Sequence, residues 1–192
     1  MMRELLLFGS VLLLQLPATD QAVVPFPEHR DNPFFKTTLD VECSHCHDDG
    51  EWTSSSKAPF ATARKMAAMV VAVNTRLGEL GKVSCGTCHR GGVRPARSPA
   101  PAMDVELANW PDSLPDAPQG VRTTMSVYNI ALGVTCEHCH DPADWKSSEK
   151  RPFKTTAIMN GLFKEFPKYM PATARTQCYM CHQGSRKPRD RP

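Results

Sequence analysis

The chain is short of the side chains that normally fill a protein interior. Only 7% of its 192 residues are aromatic while 17 are proline, so its own apolar side chains make a thin core for this length. Something else must fill part of the inside. No apolar stretch reaches the roughly 20 residues that a bilayer-crossing helix needs. Lysine and arginine form no cluster interleaved with aromatics and the formal net charge is only +3, which argues against nucleic acid as a partner. Sustained strand alternation is missing everywhere. Histidine is scarce as well, seven in all, so each one has to be accounted for.

The longest apolar run lies at the start. Leu5 to Leu16 is interrupted only by Gly9, Ser10 and Gln15, with Arg3 before it and Leu16-Pro17-Ala18 after it. A positive start, a short apolar stretch and a small-residue site are the marks of an export signal. Residues 1–22 are therefore expected to be a signal peptide, or a short N-terminal anchor if they are not removed. A lipid anchor would need a cysteine just after the run, and there is none.

Cysteine leaves no remainder. The eight cysteines fall into four groups, Cys43-Ser-His-Cys46-His47, Cys85-Gly-Thr-Cys88-His89, Cys136-Glu-His-Cys139-His140 and Cys178-Tyr-Met-Cys181-His182. Each reads C-x-x-C-H, the attachment signature of c-type haem. Two thiols add to the two porphyrin vinyl groups, and the next histidine then falls under the iron as its proximal ligand. Disulfides, a zinc site or a thioredoxin-like pair also use closely spaced cysteines, but none requires a histidine directly after the second one. Four such placements by chance come to about one in a million for this motif. The expected cofactors are four covalently bound haem c groups, with His47, His89, His140 and His182 as proximal ligands. Their propionates would reverse the small positive charge of the polypeptide. Covalent attachment takes place outside the cytoplasmic membrane, which agrees with the export signal and implies a periplasmic or extracellular protein.

The motifs are spaced as a tandem repeat. Their first cysteines stand at 43, 85, 136 and 178, and a shift of 93 residues lays the first pair on the second without a gap. From Val41 to Arg97 the two copies agree at 19 of 57 positions, where unrelated sequence gives about three or four. Outside the motifs the agreements include Trp52 with Trp145, Lys57 with Lys150, Phe60 with Phe153, Thr62 with Thr155 and Met66 with Met159. This predicts two di-haem modules related by internal duplication, residues 23–97 and 121–192, joined by a proline-rich linker over 98–120. The fold class expected is mainly α with much irregular structure. One helix is predicted in each module, with Met66, Met69, Val70, Val73, Leu77 and Leu80 on one face of the first and Met159, Leu162, Phe163 and Phe166 on the matching face of the second. Thr62 is a cap candidate for the first, Gly78 and Gly81 loosen its end, and Pro167 is expected to stop the second. A third helix, roughly Thr123 to Leu132, leads into Cys136.

Four proximal histidines leave His29, His45 and His138, so four bis-histidine irons are impossible within one chain. Haem iron accepts methionine opposite histidine, and that pairing raises the reduction potential. A methionine on an apolar face is ordinarily core filler. Here Met69 becomes Leu162 in the second copy, as core positions do, whereas Met66 stays methionine as Met159. Met66 and Met159 are therefore the distal candidates for the second and fourth haems. Met125, eleven residues before Cys136, is the candidate for the third. For the first haem the matching position is Asn32, inside a proline-bounded segment; His29 is the nearby side chain able to bind iron, a loop role or a ligand supplied by a partner chain being the alternatives. His45 and His138 read as polar contacts near a propionate or solvent, with a distal role on a neighbouring haem as the alternative.

The segment Lys57-Ala-Pro-Phe-Ala-Thr-Ala-Arg-Lys-Met66-Ala-Ala-Met69, followed by Val83-Ser-Cys85-Gly-Thr-Cys88-His89-Arg-Gly91, resembles the tetrahaem cytochrome subunit of purple-bacterial photosynthetic reaction centres. So does Met125 through Leu132-Gly-Val-Thr-Cys136. The similarity covers about residues 38–97 and 121–190. It implies tandem di-haem modules with helical methionines opposite most histidines, Met66 and Met125 matching the family's distal ligands. Two features depart from it. The family's distal histidine for the fourth haem would fall near Leu80, and its methionine before the first motif is missing. The resemblance implies an electron-transfer protein, not an enzyme, whose redox partner is a membrane reaction centre or a soluble cytochrome, with membrane association through that partner or an uncleaved N-terminus. The alternatives are a homo-oligomeric subunit of an extracellular cytochrome filament, in which a neighbour lends the first haem its ligand, and a multihaem reductase, for which no constellation of acids and cations is readable.

Overall fold

The computed structural model describes residues 34–97, 118–171 and 177–189. The expected signal segment, His29, and residues 98–117 of the expected linker lie outside them. Proline decides where the long helices begin, because its fixed φ suits the first turn and its missing N–H is not needed there. Pro59 stands in the first turn of helix α2 (Ala58–Leu77), Pro152 in the first turn of α5 (Arg151–Leu162), and Pro118 directly precedes α4 (Gln119–Leu132). Three short helices complete the set: α1 (Phe34–Leu39), α3 (Cys85–His89) and α6 (Tyr179–His182). Single 3-10 turns cover Cys43–His45, Gly78–Leu80, Cys136–His138 and Phe166–Lys168. Among the described residues there is no strand, only the isolated bridges Asp48–Glu51 and Asp141–Asp144. The protein is mainly helical with much irregular structure. No described helix is long and apolar enough to cross a membrane.

The proline starts correct two expected boundaries. Helix α2 begins four residues before Thr62, whose hydroxyl does not cap it but donates back to the Ala58 carbonyl at 2.9 Å inside the first turns. Helix α4 begins at Gln119 rather than near Thr123, taking in the end of the segment expected to be linker. At the other end, α2 closes on Gly78 in the left-handed region (φ 52), as its sequence suggested. Helix α5 is shorter than its apolar spacing implied. It stops at Leu162 after Gly161, and Phe166 sits in the separate turn that contains Pro167.

The core is small, as the composition required. Val73 and Leu77 of α2 and Leu162 of α5 are buried together, with Met69, Val83, Met159 and Phe166 packed against them. Helix α2 lies on α5, α3 on α6, α1 on α3 and α4 on α6. Backbone bonds fasten the last two contacts: the Gly91 N–H donates to the Thr38 carbonyl and the Gly184 N–H to the Ala131 carbonyl, both at 2.8 Å. The buried Glu165 carboxylate accepts from Arg76 of α2 and from Lys168, each at 2.8 Å, tying α2 to the turn that follows α5.

Candidate cofactor-binding sites

A cysteine at i, a second at i+3 and a histidine at i+4 share one side of a helical turn. The local structure supplies that turn at every motif. The His47, His140 and His182 N–H groups each reach back to the carbonyl of the first cysteine, at 3.0, 3.0 and 3.1 Å, and Cys85–His89 is itself helix α3. Ser84 and Thr87 close a reciprocal capping box on α3, which fixes the start of that turn.

The four histidines share one hydrogen-bonding pattern. Nδ1 of His47 lies 3.2 Å from the Glu51 carbonyl, that of His89 3.1 Å from Gly92, that of His140 2.8 Å from Trp145 and that of His182 2.9 Å from Ser185. A carbonyl can only accept, so Nδ1 carries the proton in all four and Nε2 keeps its lone pair. Burial holds the pKa of His182 below the ordinary histidine range, which keeps that imidazole neutral.

The first and third motifs have matched surroundings. His47 packs against Trp52 and Phe60 with ring centroids 5.6 and 5.3 Å away, and His140 against Trp145 and Phe153 at 6.3 and 5.5 Å. The Lys57 ammonium donates to the Ser44 and His47 carbonyls at 2.6 and 2.7 Å; Lys150 does the same to Glu137 and His140 at 2.8 and 2.7 Å. Each lysine staples one C-x-x-C-H loop to the helix that follows it. No sequence motif marked these six residues for such a role, although each pair agreed across the 93-residue offset.

All eight cysteines are free of disulfides. Burial pushes the Cys46 and Cys139 pKa values up and that of Cys178 to about 11; a hydrogen bond with Cys181, together with burial, raises Cys88 further. A thioredoxin-like pair needs a depressed thiol pKa. Among the described residues no three histidine, cysteine, aspartate or glutamate side chains converge as a zinc site would require.

The second and fourth motifs share a cavity of about 1950 Å³, well beyond the roughly 300–1,000 Å³ of a site for one small ligand. Its lining includes Cys88, His89, Cys181 and His182 from the motifs, with Met66 of α2 and Met159 of α5. The whole apolar stripe expected on α2, from Met66 to Leu80, lines it, as does the one expected on and after α5. Met125 is half-buried on α4 and does not line this cavity, and neither do His47 and His140. His138 lines it while His45, its counterpart in the first copy, is exposed. Met170 also lines it; the repeat did not mark it, because its counterpart is Leu77. No family model matches the chain. The residues themselves therefore carry the functional reading.

Proposed function

We propose that this chain is a tetrahaem c-type cytochrome that transfers electrons outside the cytoplasmic membrane. The observation that carries this is the Nδ1-to-carbonyl bond at all four C-x-x-C-H histidines. A histidine that is to bind a metal through Nε2 is oriented by such a bond from its other nitrogen. Neither a disulfide framework nor a thioredoxin-like motif asks for it. The donors suit haem c throughout: paired thiols that are in no disulfide, kept neutral where burial raises their pKa, and an imidazole whose Nδ1 is held by a carbonyl. Bound there, haem iron supplies one-electron chemistry.

Cys43, Cys46, Cys85, Cys88, Cys136, Cys139, Cys178 and Cys181 would hold the porphyrins, and His47, His89, His140 and His182 the irons. Met66 and Met159 would serve the second and fourth irons, a reading supported by their place in the cavity wall beside His89 and His182. Met125 is the candidate for the third and His29 for the first. The recurrence of contacts at an offset of 93 residues, from the lysine staples to the Gly91 and Gly184 backbone bonds, supports two di-haem modules derived by duplication. The partner we favour is a membrane-bound redox protein, a photosynthetic reaction centre being the one that the family resemblance implies.

Intact mass spectrometry of the exported protein tests the reading: four haem additions are expected, and fewer would defeat it. The ferric protein should show the near-infrared band of His/Met haem, and Met66→Leu, Met125→Leu and Met159→Leu should each remove about a third of it and lower one potential. A spectrum that is bis-histidine or high-spin throughout would sink the methionine assignments.

A further inference from the structure

Arg90 follows His89, and its counterpart across the 93-residue offset is Gln183, which follows His182. Both adopt the left-handed backbone conformation, φ 49 and 44, unusual for residues other than glycine. The two side chains meet. Arg90 Nη1 donates to Gln183 Oε1 at 3.0 Å and Nη2 to the Cys181 carbonyl at 2.7 Å, while Nε reaches back to the Thr87 carbonyl at 3.3 Å. One half-buried guanidinium thus joins the second motif to the fourth through two of its nitrogens, while the third anchors it to its own motif. It sits one residue from His89, and its acceptor Cys181 is one residue from His182.

We infer that Arg90 is a positioning residue shared by two cofactor sites: it holds the second and fourth C-x-x-C-H motifs edge to edge and biases both irons bound there toward the reduced state. The inference rests on the tetrahaem reading above. A ferric centre carries one more positive charge than a ferrous one, so a fixed cation nearby disfavours the ferric form. A guanidinium is a planar cation whose fork suits several acceptors at once. A unit charge on the order of 10 Å away, at an effective dielectric of about 20, changes the redox equilibrium roughly tenfold. For a one-electron couple that is about 59 mV. Because one charge serves both sites, the two potentials should move together. A second arginine in place of Gln183 would oppose Arg90, whereas the amide oxygen of Gln183 accepts from it.

Three variants separate charge from geometry, each first counted for haem by intact mass. Arg90→Gln, carrying four haems, should lower two of the four midpoint potentials by about 59 mV each, the tenfold shift converted at one electron. Arg90→Lys keeps the charge and loses the fork, so it should retain most of both potentials while lowering the melting temperature. Gln183→Glu leaves Arg90 in place and sets an anion against it, and should lower the same two potentials. A wild-type protein with fewer than four haems overturns the cytochrome reading itself. Four haems with potentials unmoved in Arg90→Gln, or moved equally in Arg90→Lys, overturn the role of Arg90 alone. If Arg90→Gln does not assemble, unmoved potentials in Gln183→Glu overturn it just as well.

Discussion

Replacing Lys57 with methionine tests whether the lysine staple holds the first C-x-x-C-H loop. The side chain is 35% exposed, and its ammonium donates to the Ser44 and His47 carbonyls at 2.6 and 2.7 Å, with the Asp48 carboxylate at 3.7 Å. Methionine keeps an apolar stem of similar length, so chiefly the charged donor is lost. Hydrogen bonds from a charged group contribute about 1.5–3 kcal/mol when well shielded. Here water can reach the carbonyls once the ammonium has gone, so about 1 kcal/mol per bond is the better figure, or about 2 kcal/mol in all. The distant ion pair with Asp48 adds little at such exposure. For a chain of this size the change corresponds to a fall of about 4–8 °C in melting temperature. Lys150→Met should cost about the same. Because the two staples share no acceptor, the double variant should show the sum to within about 0.5 kcal/mol. Thermal unfolding followed by far-ultraviolet circular dichroism measures all three, with Lys164→Met on an exposed position as control. If Lys57→Met melts with the control, the staple contributes nothing and the matched lysines need another explanation.

Two further substitutions test the packing. A Cβ on Gly133, which has φ +62, would fall onto the Gly184 backbone carbonyl, so Gly133→Ala should part α4 from α6 and cost about 3 kcal/mol or more in a urea titration. Gly120→Ala, in open space within the first turn of α4, should stay within about 1 kcal/mol of wild type, and equal effects would refute the contact. The Glu165 carboxyl is held below its ordinary value of 4.5, first by the hydrogen bond from Lys168 and also by Arg76. A depressed folded pKa means that its contribution is present above about pH 4.5 and is lost as pH falls through the lower folded value. Glu165→Gln should therefore flatten the acid limb of stability measured from pH 7 to pH 3, and parallel curves would refute the assignment.

The proposed chemistry was legible because a C-x-x-C-H motif is a contiguous string. Five residues carry each site, and the helical stripe from Met66 to Leu80 was readable from its spacing alone. What surrounds each histidine was not legible. Trp52, Lys57 and Phe60 come after His47 in the chain but act on it only once Asp48 and Glu51 turn the loop back. Their agreement with Trp145, Lys150 and Phe153 marked them, yet without a geometry the agreement had no stated cause. The helix starts were missed for a simpler reason. A hydroxyl such as that of Thr62 invites reading as a cap, while Pro59 three residues earlier already fixes the first turn.

The placement in space of the two proposed modules was beyond the sequence, and it decides the most. Nothing in the 93-residue offset says whether equivalent elements lie apart or touch. They touch: α2 lies on α5 and α3 on α6, and Arg90 meets Gln183. Contacts between equivalent elements resemble those of an isologous dimer, in which a residue near the centre can face its own copy. At that position a repeated arginine would be disfavoured, because two guanidinium groups would face each other near contact distance. A pair that differs, one cation and one neutral acceptor, removes the repulsion and gains the hydrogen bond. On the duplication proposed above, divergence at positions 90 and 183 is what fusing two like modules into one chain permits, since a true homodimer must carry the same residue twice. The seam between the copies is thus the place where the repeat is free to become asymmetric. His138 facing the shared cavity while His45 faces solvent shows the same freedom at a second position, close to the same pair of motifs.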